Sequence, residues 1–142
     1  MAQAGALNGL TGFAEGTAPK RARIKLMITV YGIPNCDTVK KARAWLTAQG
    51  ASHTFHDFKK SGVPQDRLLA WEAAVGWQKL LNRQGNTWRG LAPLAQQAVS
   101  DAASAGQLML SQPSVIKRPV VDWGSAITVG FDPVVWTRLL PG

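Results

Sequence analysis

The segment from Met27 to Phe58 constrains the fold most, because its hydrophobic period changes twice within about thirty residues. The run "MITVY" is β-branched and apolar, which is typical of a buried strand. The run "SHTFHDF" alternates like a second strand. Between them, "CDTVKKARAWLTAQG" places four apolar residues on one helical face: Val39, Ala42, Trp45 and Leu46. We therefore expect a right-handed βαβ unit with parallel strands, its helix ending before Gly50.

The middle of the chain has helical patterns. The segment "VPQDRLLAWEAAVG" begins near Pro64 and ends at Gly76, and "DAASAGQLMLSQP" begins at Asp101 as an N-cap. Between these two segments, "WQKLLNRQGNTWRGL" is polar and rich in turn residues. We therefore expect a helical insertion after the βαβ unit.

The C-terminal part predicts a β-hairpin followed by a helix. Two short apolar runs in "RPVVDWGSAITVGF" flank a turn at Trp123-Gly124-Ser125. The helix "DPVVWTRLL" follows, with Asp132 as N-cap and Pro133 in its first turn. The order β-α-β, helices, β-β-α predicts an α/β protein with a thioredoxin-like fold and an inserted helical lobe.

Residues 1–26 differ from the rest of the chain, because they are rich in Gly, Ala, Thr and Pro and have no helical or strand period. We expect a disordered N-terminal extension at 1–26 and one domain at 27–142. The formal net charge of +8 favours an anionic partner. Four of the positive charges lie in the extension, which leaves a moderately basic body, so we do not expect direct nucleic-acid binding. The extension is either the product of an upstream start codon or a vector remnant, or a regulatory basic arm.

The chain contains a single cysteine, which cannot form a disulfide within the molecule. There is also no apolar run of the roughly 20 residues that would cross a bilayer, and no pattern of a secretory signal. We therefore expect a monomeric protein of the reducing cytoplasm that does not insert into membranes.

That cysteine, Cys36, lies at the predicted junction of the first strand and the first helix. Free backbone N–H groups and the positive end of the helix dipole stabilise a thiolate at such a position and also bind anions. Lys40 adds positive charge one turn further on, while Pro34 and Asn35 shape the loop that presents the sulfur. Two interpretations are open here: a reactive thiol, or a small buried apolar side chain.

A reactive Cys36 would act as a monothiol. In a Cys-x-x-Cys motif the second thiol follows three residues later, and Val39 occupies that position. Disulfide chemistry must therefore pass through a mixed disulfide with an external thiol, for which glutathione is the expected co-substrate. His53 and His56 would point to opposite faces of their strand, so we expect no metal, and the chain has no Gly-rich nucleotide-binding loop.

Several separated motifs resemble the ArsC/Spx superfamily of thioredoxin-fold proteins, and its YffB-like branch most closely. They span Met27 to about Leu140 and are "ITVYGIPNCDTVKKARAWL", "LLNRQGNTWRGL", "DAAS" and "SVIKRPVV". The resemblance implies that Cys36 is the catalytic nucleophile and that Pro119 forms a cis peptide bond facing it. It also implies that Arg118 stabilises the thiolate or a bound oxyanion, a role that suits a guanidinium group.

The resemblance is incomplete for the arginine trio that surrounds the oxyanion in arsenate reductases of this superfamily. Arg118 matches one member, and Arg83 is the nearest counterpart of the second, although it is shifted along the chain. Gly130 and Phe131 occupy the region of the third. Loss of one charge-assisted contact costs about 1.5–3 kcal/mol of oxyanion binding, so the sequence argues against arsenate reduction itself.

We therefore expect a glutathione-dependent monothiol oxidoreductase that acts on a disulfide or a small oxyanion and is regenerated by glutathione or glutaredoxin. An alternative is a Spx-like regulator that binds RNA polymerase without turnover, although such regulators usually carry the second cysteine that is absent here. The catalytic residues are expected to be Cys36 and Arg118, and the residues that bind substrate or glutathione are expected to be Asn35, Lys40, Arg83 and Pro119.

Overall fold

The computed structural model describes residues 27–140, so the predicted disordered extension at 1–26 lies outside the described residues. The predicted βαβ unit is confirmed, because the first two strands pair in parallel. The strands are β1 (Ile28–Gly32), β2 (His53–Asp57), β3 (Val120–Asp122) and β4 (Ile127–Val129). They form one sheet in the order β2-β1-β3-β4, in which β3 pairs antiparallel with both β1 and β4.

The helices follow the predicted order, with one inside the βαβ unit, a group in the middle of the chain and one after the hairpin. They are α1 (Asp37–Ala48), α2 (Phe58–Ser61), α3 (Gln65–Val75), α4 (Trp77–Leu80), α5 (Asn86–Arg89), α6 (Pro93–Gln97), α7 (Ala102–Ser111) and α8 (Pro133–Leu139), with a 3₁₀ turn at Pro113–Val115. We call α3 to α7 the helical lobe. This arrangement confirms the α/β thioredoxin-like fold with an inserted helical lobe.

Helix α1 packs against the sheet through the apolar face that its period predicts. Val39, Ala42 and Leu46 are buried, whereas Trp45 at the margin of this face is half-buried. The helix ends before Gly50, whose φ of +72° is easily adopted by glycine and ends the helix as predicted. The start of α1 is therefore held at a fixed place beside β1.

Both faces of the sheet are covered, because successive residues of a strand point to opposite sides. On one face, Val30 and Val121 pack with Trp136 of α8 and with α1. On the other face, Val120 packs with the helical lobe, including the fully buried Trp71. None of the helices in residues 27–140 has the length and apolar character needed to cross a membrane.

The structure differs from the prediction mainly in its shortest elements. The segment expected to be turns contains α4 and α5, which have four residues each and are too short to show a hydrophobic period. Strand β2 ends at Asp57, one residue earlier than predicted, because the Asp57 carboxylate accepts a hydrogen bond from the Lys59 N–H (2.8 Å) and caps α2. The predicted caps Asp101 and Asp132 are confirmed at α7 and α8.

Candidate active site

Cys36 is the N-cap residue of α1, directly after the turn that leaves β1. Only residues 33–35 separate the strand from this cap. Gly32 allows the strand and the helix to approach closely, since a Cβ atom there would lie only 2.8 Å from Cγ2 of Val39. The end of β1 and the packing of α1 therefore determine where the Cys36 sulfur lies.

The pKa of the Cys36 thiol is lowered from its ordinary value by groups around the first turn of α1. Burial is the largest single effect and raises the pKa, because a thiolate loses hydration in a half-buried position. The backbone N–H of Val39, the guanidinium of Arg118 and the N–H of Thr38 together outweigh it. These N–H groups belong to the first turn of α1, where the helix offers them no carbonyl partner, so they stabilise a negative charge on the sulfur. The site therefore favours the thiolate, which is the nucleophilic form.

Arg118 and Pro119 belong to the loop that precedes β3. The peptide bond between them is cis, as the resemblance predicted. Nη1 of Arg118 donates a hydrogen bond to the carbonyl oxygen of Ser114 (3.0 Å), which anchors one side of the guanidinium. The Nε atom is buried and has no hydrogen-bond partner among residues 27–140. The Ser114 contact therefore holds in place the cation that acts on Cys36, and its Nε donor is left unsatisfied inside the protein.

Backbone hydrogen bonds hold this loop on both sides of Arg118. The Lys117 N–H donates to the Leu80 carbonyl (2.7 Å), which links the loop to the helical lobe. The Gly130 N–H donates to the Pro119 carbonyl (2.9 Å), which links it to the residue after β4. Pro119 itself is buried. Arg118 thus depends on both the lobe and the hairpin for its position.

Asn35 and Lys40 lie on either side of Cys36 in the chain, and both are exposed. Asn35 belongs to the turn before the sulfur, and the Lys40 N–H donates to the Cys36 carbonyl (2.9 Å) in the first turn of α1. Their side chains are open to a ligand from solvent. Their roles in binding substrate or glutathione remain predictions.

Arg83 lies in the helical lobe between two tryptophan rings. Its Cζ atom is 5.5 Å from the Trp77 ring centroid and 5.7 Å from that of Trp88, which are cation–π distances. Arg83 and Lys117 line a cleft beside β4, whereas Arg118 is the cation that shifts the pKa of Cys36. The structure thus groups Arg83 with this cleft, and its contact with substrate remains a prediction.

The region of the third arginine of the arsenate reductase trio contains an aromatic contact. The Phe131 ring packs against Trp45 and Trp136, with ring centroids 6.3 and 4.9 Å apart. Gly130 has a φ of +82° and no side chain. Neither residue supplies the positive charge that the trio requires.

The histidines of β2 bind different backbone carbonyl groups. His53 Nδ1 lies 3.2 Å from the Ala51 oxygen, and His56 Nε2 lies 2.8 Å from the Gly62 oxygen. The His56 contact holds the end of β2 to the loop after α2, which gives this residue a structural role.

Sequence reasoning did not identify Ser114 as part of the site. Its contribution is a backbone carbonyl, which any residue type supplies, so its identity carries no signal. Anchoring of the guanidinium could therefore be found only from the tertiary structure.

Comparison with known proteins gives a consistent family assignment. The model of the ArsC family matches residues 31–139. An uncharacterised protein of Haemophilus influenzae is 38% identical over 106 residues, which cover 75% of this chain and 92% of that protein. The global transcriptional regulator Spx of Streptococcus pyogenes serotype M3 is 23% identical over 109 residues, which cover 75% of this chain and 79% of Spx.

Solved structures show the same similarity. A protein named YffB superimposes with a TM-score of 0.77 at 44% identity, covering 81% of this chain and 100% of YffB. An arsenate reductase (ArsC) related protein from Brucella melitensis has a TM-score of 0.64 at 47% identity, covering 80% and 93% of the two chains. The arsenate reductase of Vibrio cholerae has a TM-score of 0.68 at 19% identity, covering 82% and 99%, and shares the fold.

Proposed function

The chain belongs to the ArsC family, and we propose that it is a glutathione-dependent monothiol oxidoreductase of the reducing cytoplasm with Cys36 as its nucleophile. The family groups it with arsenate reductase-like thiol oxidoreductases and Spx-like proteins. The observation that carries the proposal is the lowered pKa of Cys36 beside the anchored guanidinium of Arg118. A structural cysteine in an apolar environment would have a raised pKa instead.

The proposed reaction is reduction of a mixed disulfide between glutathione and a substrate thiol. The Cys36 thiolate attacks the glutathione sulfur, a new S–S bond forms between Cys36 and glutathione, and the substrate leaves as a thiolate. A second glutathione thiolate then attacks that bond, which releases oxidised glutathione and regenerates the Cys36 thiolate. Each step exchanges one S–S bond for another, so an external thiol, glutathione or glutaredoxin, supplies the electrons.

The surrounding residues are proposed to bind the anionic parts of the reactants. The Arg118 guanidinium, which acts on the Cys36 thiol, is proposed to contact a carboxylate or oxyanion next to the sulfur. Pro119 frames the thiol pocket, and the exposed Asn35 and Lys40 lie at its open side. Arg83 contributes charge from the helical lobe, at the cleft beside β4.

Disulfide reduction is favoured over arsenate reduction by the residues after β4. Phe131 packs into the aromatic cluster, and Gly130 lacks a side chain. An arsenate ion would therefore be held by fewer guanidinium groups than the trio provides. Each missing charge-assisted contact costs about 1.5–3 kcal/mol.

The proposal is tested by measuring glutathione-dependent reduction of a peptide–glutathione mixed disulfide. Cys36→Ser should abolish turnover and leave the far-UV and near-UV circular dichroism unchanged. Arg118→Ala should reduce kcat/KM by about 10-fold to 100-fold, because it removes a charge-assisted contact. Arg138→Ala, which removes an exposed arginine of α8, is the matched control and should retain full activity. Full turnover by Cys36→Ser would overturn the proposal.

The similarity to Spx supports a second candidate, a regulator that binds RNA polymerase without turnover. It ranks below the enzyme because Val39 replaces the second cysteine usual in such regulators. Affinity purification of the tagged chain from its own host distinguishes the two. Co-purification of polymerase subunits together with no thiol-dependent turnover would favour the regulator.

A further inference from the structure

A cleft of about 600 Å³ follows β4, the outermost strand of the described sheet, between the helical lobe and α8. Its lining includes Val75 and Lys79 from the lobe side and Val135 and Trp136 from α8. Ile127, Thr128 and Val129 of β4 also line the cleft, and we call this strand segment its floor. The cleft is therefore open to solvent along a strand edge.

The backbone of β4 presents unused hydrogen-bonding groups to this cleft. The Gly130 N–H donates to the Pro119 carbonyl, and the Trp123 N–H donates to the Ala126 carbonyl. Along an antiparallel strand, residues that are hydrogen-bonded to the partner strand alternate with residues that are not. The non-hydrogen-bonded positions are Ile127 and Val129, whose N–H and C=O groups point away from β3. Within residues 27–140 no backbone group pairs with this edge.

The charge around the cleft is mainly positive. Lys79, Arg83 and Lys117 line it, and the Arg83 guanidinium lies within cation–π distance of the Trp77 and Trp88 rings. The one acidic residue in the lining is Asp132, whose carboxylate accepts hydrogen bonds from the first turn of α8 (3.1 and 3.3 Å). The lining therefore carries three cations against one carboxylate, which leaves a net positive charge.

We propose that this cleft binds an extended acidic segment of a partner protein, which adds to the sheet as a strand beside β4. Backbone bonds to Ile127 and Val129 would supply the register, and acidic side chains would contact Lys79, Arg83 and Lys117. Apolar side chains of the segment would contact Val75 and the floor of the cleft. Pairing of two copies of this chain through β4 is disfavoured, because it would bring the same cations together.

The test measures binding of the labelled peptide acetyl-Glu-Val-Glu-Val-Glu-Val-Glu-amide to the full chain by fluorescence anisotropy at low salt. In the first control peptide the glutamates are replaced by lysines. In the second control peptide the sequence is unchanged and alternate backbone nitrogens are methylated. We expect the acidic peptide to bind at least tenfold more tightly than either control. The lysine control tests charge, and the methylated control tests strand pairing, since methylation removes the N–H donors.

Variants of the protein locate the site. Lys79→Ala combined with Lys117→Ala should weaken binding about threefold to tenfold, as expected for two charges at a rim. Lys60→Ala, an exposed lysine next to β2 at the opposite edge of the sheet, should leave it unchanged. Amide hydrogen exchange at Ile127 and Val129 should slow at least tenfold when the peptide is bound.

Four outcomes would overturn the proposal. The first is no saturable binding of the acidic peptide at millimolar concentration. The second is equal binding of the methylated peptide, which would indicate electrostatic attraction without strand addition. The third is protection by the peptide that maps away from β4. The fourth is self-association of the protein in sedimentation experiments, accompanied by slow exchange at Ile127 and Val129 without peptide.

Discussion

At the scale of single residues, opposing effects act on the Cys36 thiol. Burial raises its pKa, while the N–H of Val39, the guanidinium of Arg118 and the N–H of Thr38 lower it further than burial raises it. The two backbone groups belong to α1, and only a proline substitution would remove either of them. Arg118 is therefore the side chain through which the pKa of Cys36 can be changed by mutation.

Arg118→Ala should raise the pKa of Cys36 above its wild-type value, because a favourable charge beside the thiolate is lost. Alkylation by iodoacetamide at pH 7 should slow, whereas at pH 10, where the thiol is ionised in both proteins, the rates should converge. Arg118→Lys should give an intermediate profile, since it keeps the charge without the fork. Identical profiles for wild type and Arg118→Ala would contradict the assigned role of Arg118.

The lowered pKa of Cys36 also predicts a pH-dependent contribution to stability. The unfolded thiol, with a pKa of about 8.5, binds more protons than the folded one at pH values between the two pKa values. The free energy of unfolding of wild type, relative to Cys36→Ser, should therefore rise with pH and level off above about 8.5. Urea unfolding of both proteins from pH 6 to 9.5, under reducing conditions, measures this difference. A difference that falls as pH rises would mean that the folded pKa is raised.

The position of Cys36 at a strand–helix junction could be predicted from the sequence, because a strand pattern ends before it and a helical pattern begins after it. The sequence could not reveal that Arg118 is anchored by the Ser114 carbonyl with its Nε unsatisfied, since this depends on how the loop packs. The resemblance, rather than the residue pattern, pointed to the pairing of Cys36 with Arg118. The aromatic environment of Arg83 was also not predictable, because Trp77 and Trp88 belong to short helices.

At the scale of elements, the approach of β1 and α1 sets the position of the sulfur. A Cβ atom at position 32 would lie 2.8 Å from Cγ2 of Val39. A side chain at Gly32 would therefore force Val39 or the backbone to move. The long elements on either side were predictable from their periods. The one-turn helices α4 and α5 were not, because four residues do not define a period.

Gly32→Ala should destabilise the protein by about 1–3 kcal/mol, because the added methyl group would overpack against Val39. Combining it with Val39→Ala removes the clash. The loss of unfolding free energy in the double variant should therefore be smaller than the sum of the two single losses by about 1 kcal/mol or more. Urea unfolding of all four proteins measures this difference. Additive effects would mean that these two residues do not define the strand–helix distance.

At the scale of the whole molecule, the described residues 27–140 contain the four-stranded sheet, two apolar cores and the Cys36 site. The positive charges of Lys20, Arg21, Arg23 and Lys25 lie before it in the chain. The overall charge of +8 therefore overstates the charge of the domain that carries the candidate site.

Removal of residues 1–26 should leave the urea midpoint and the Cys36 alkylation profile unchanged within error. The reason is that the strand β1, both cores and the groups acting on the thiol lie downstream of this segment. The full chain is the control. A shifted alkylation profile after truncation would show that the basic segment acts on the site.

A reactive Cys36 thiolate is tested most directly by the pH dependence of Cys36 alkylation in the folded wild-type protein, with the same chain unfolded in urea as the reference. We expect an apparent pKa below that of the unfolded chain, which should be about 8.5, and a single glutathione adduct by mass spectrometry after exposure to oxidised glutathione. A folded pKa at or above the unfolded value, with no adduct, would show instead that Cys36 is a structural residue.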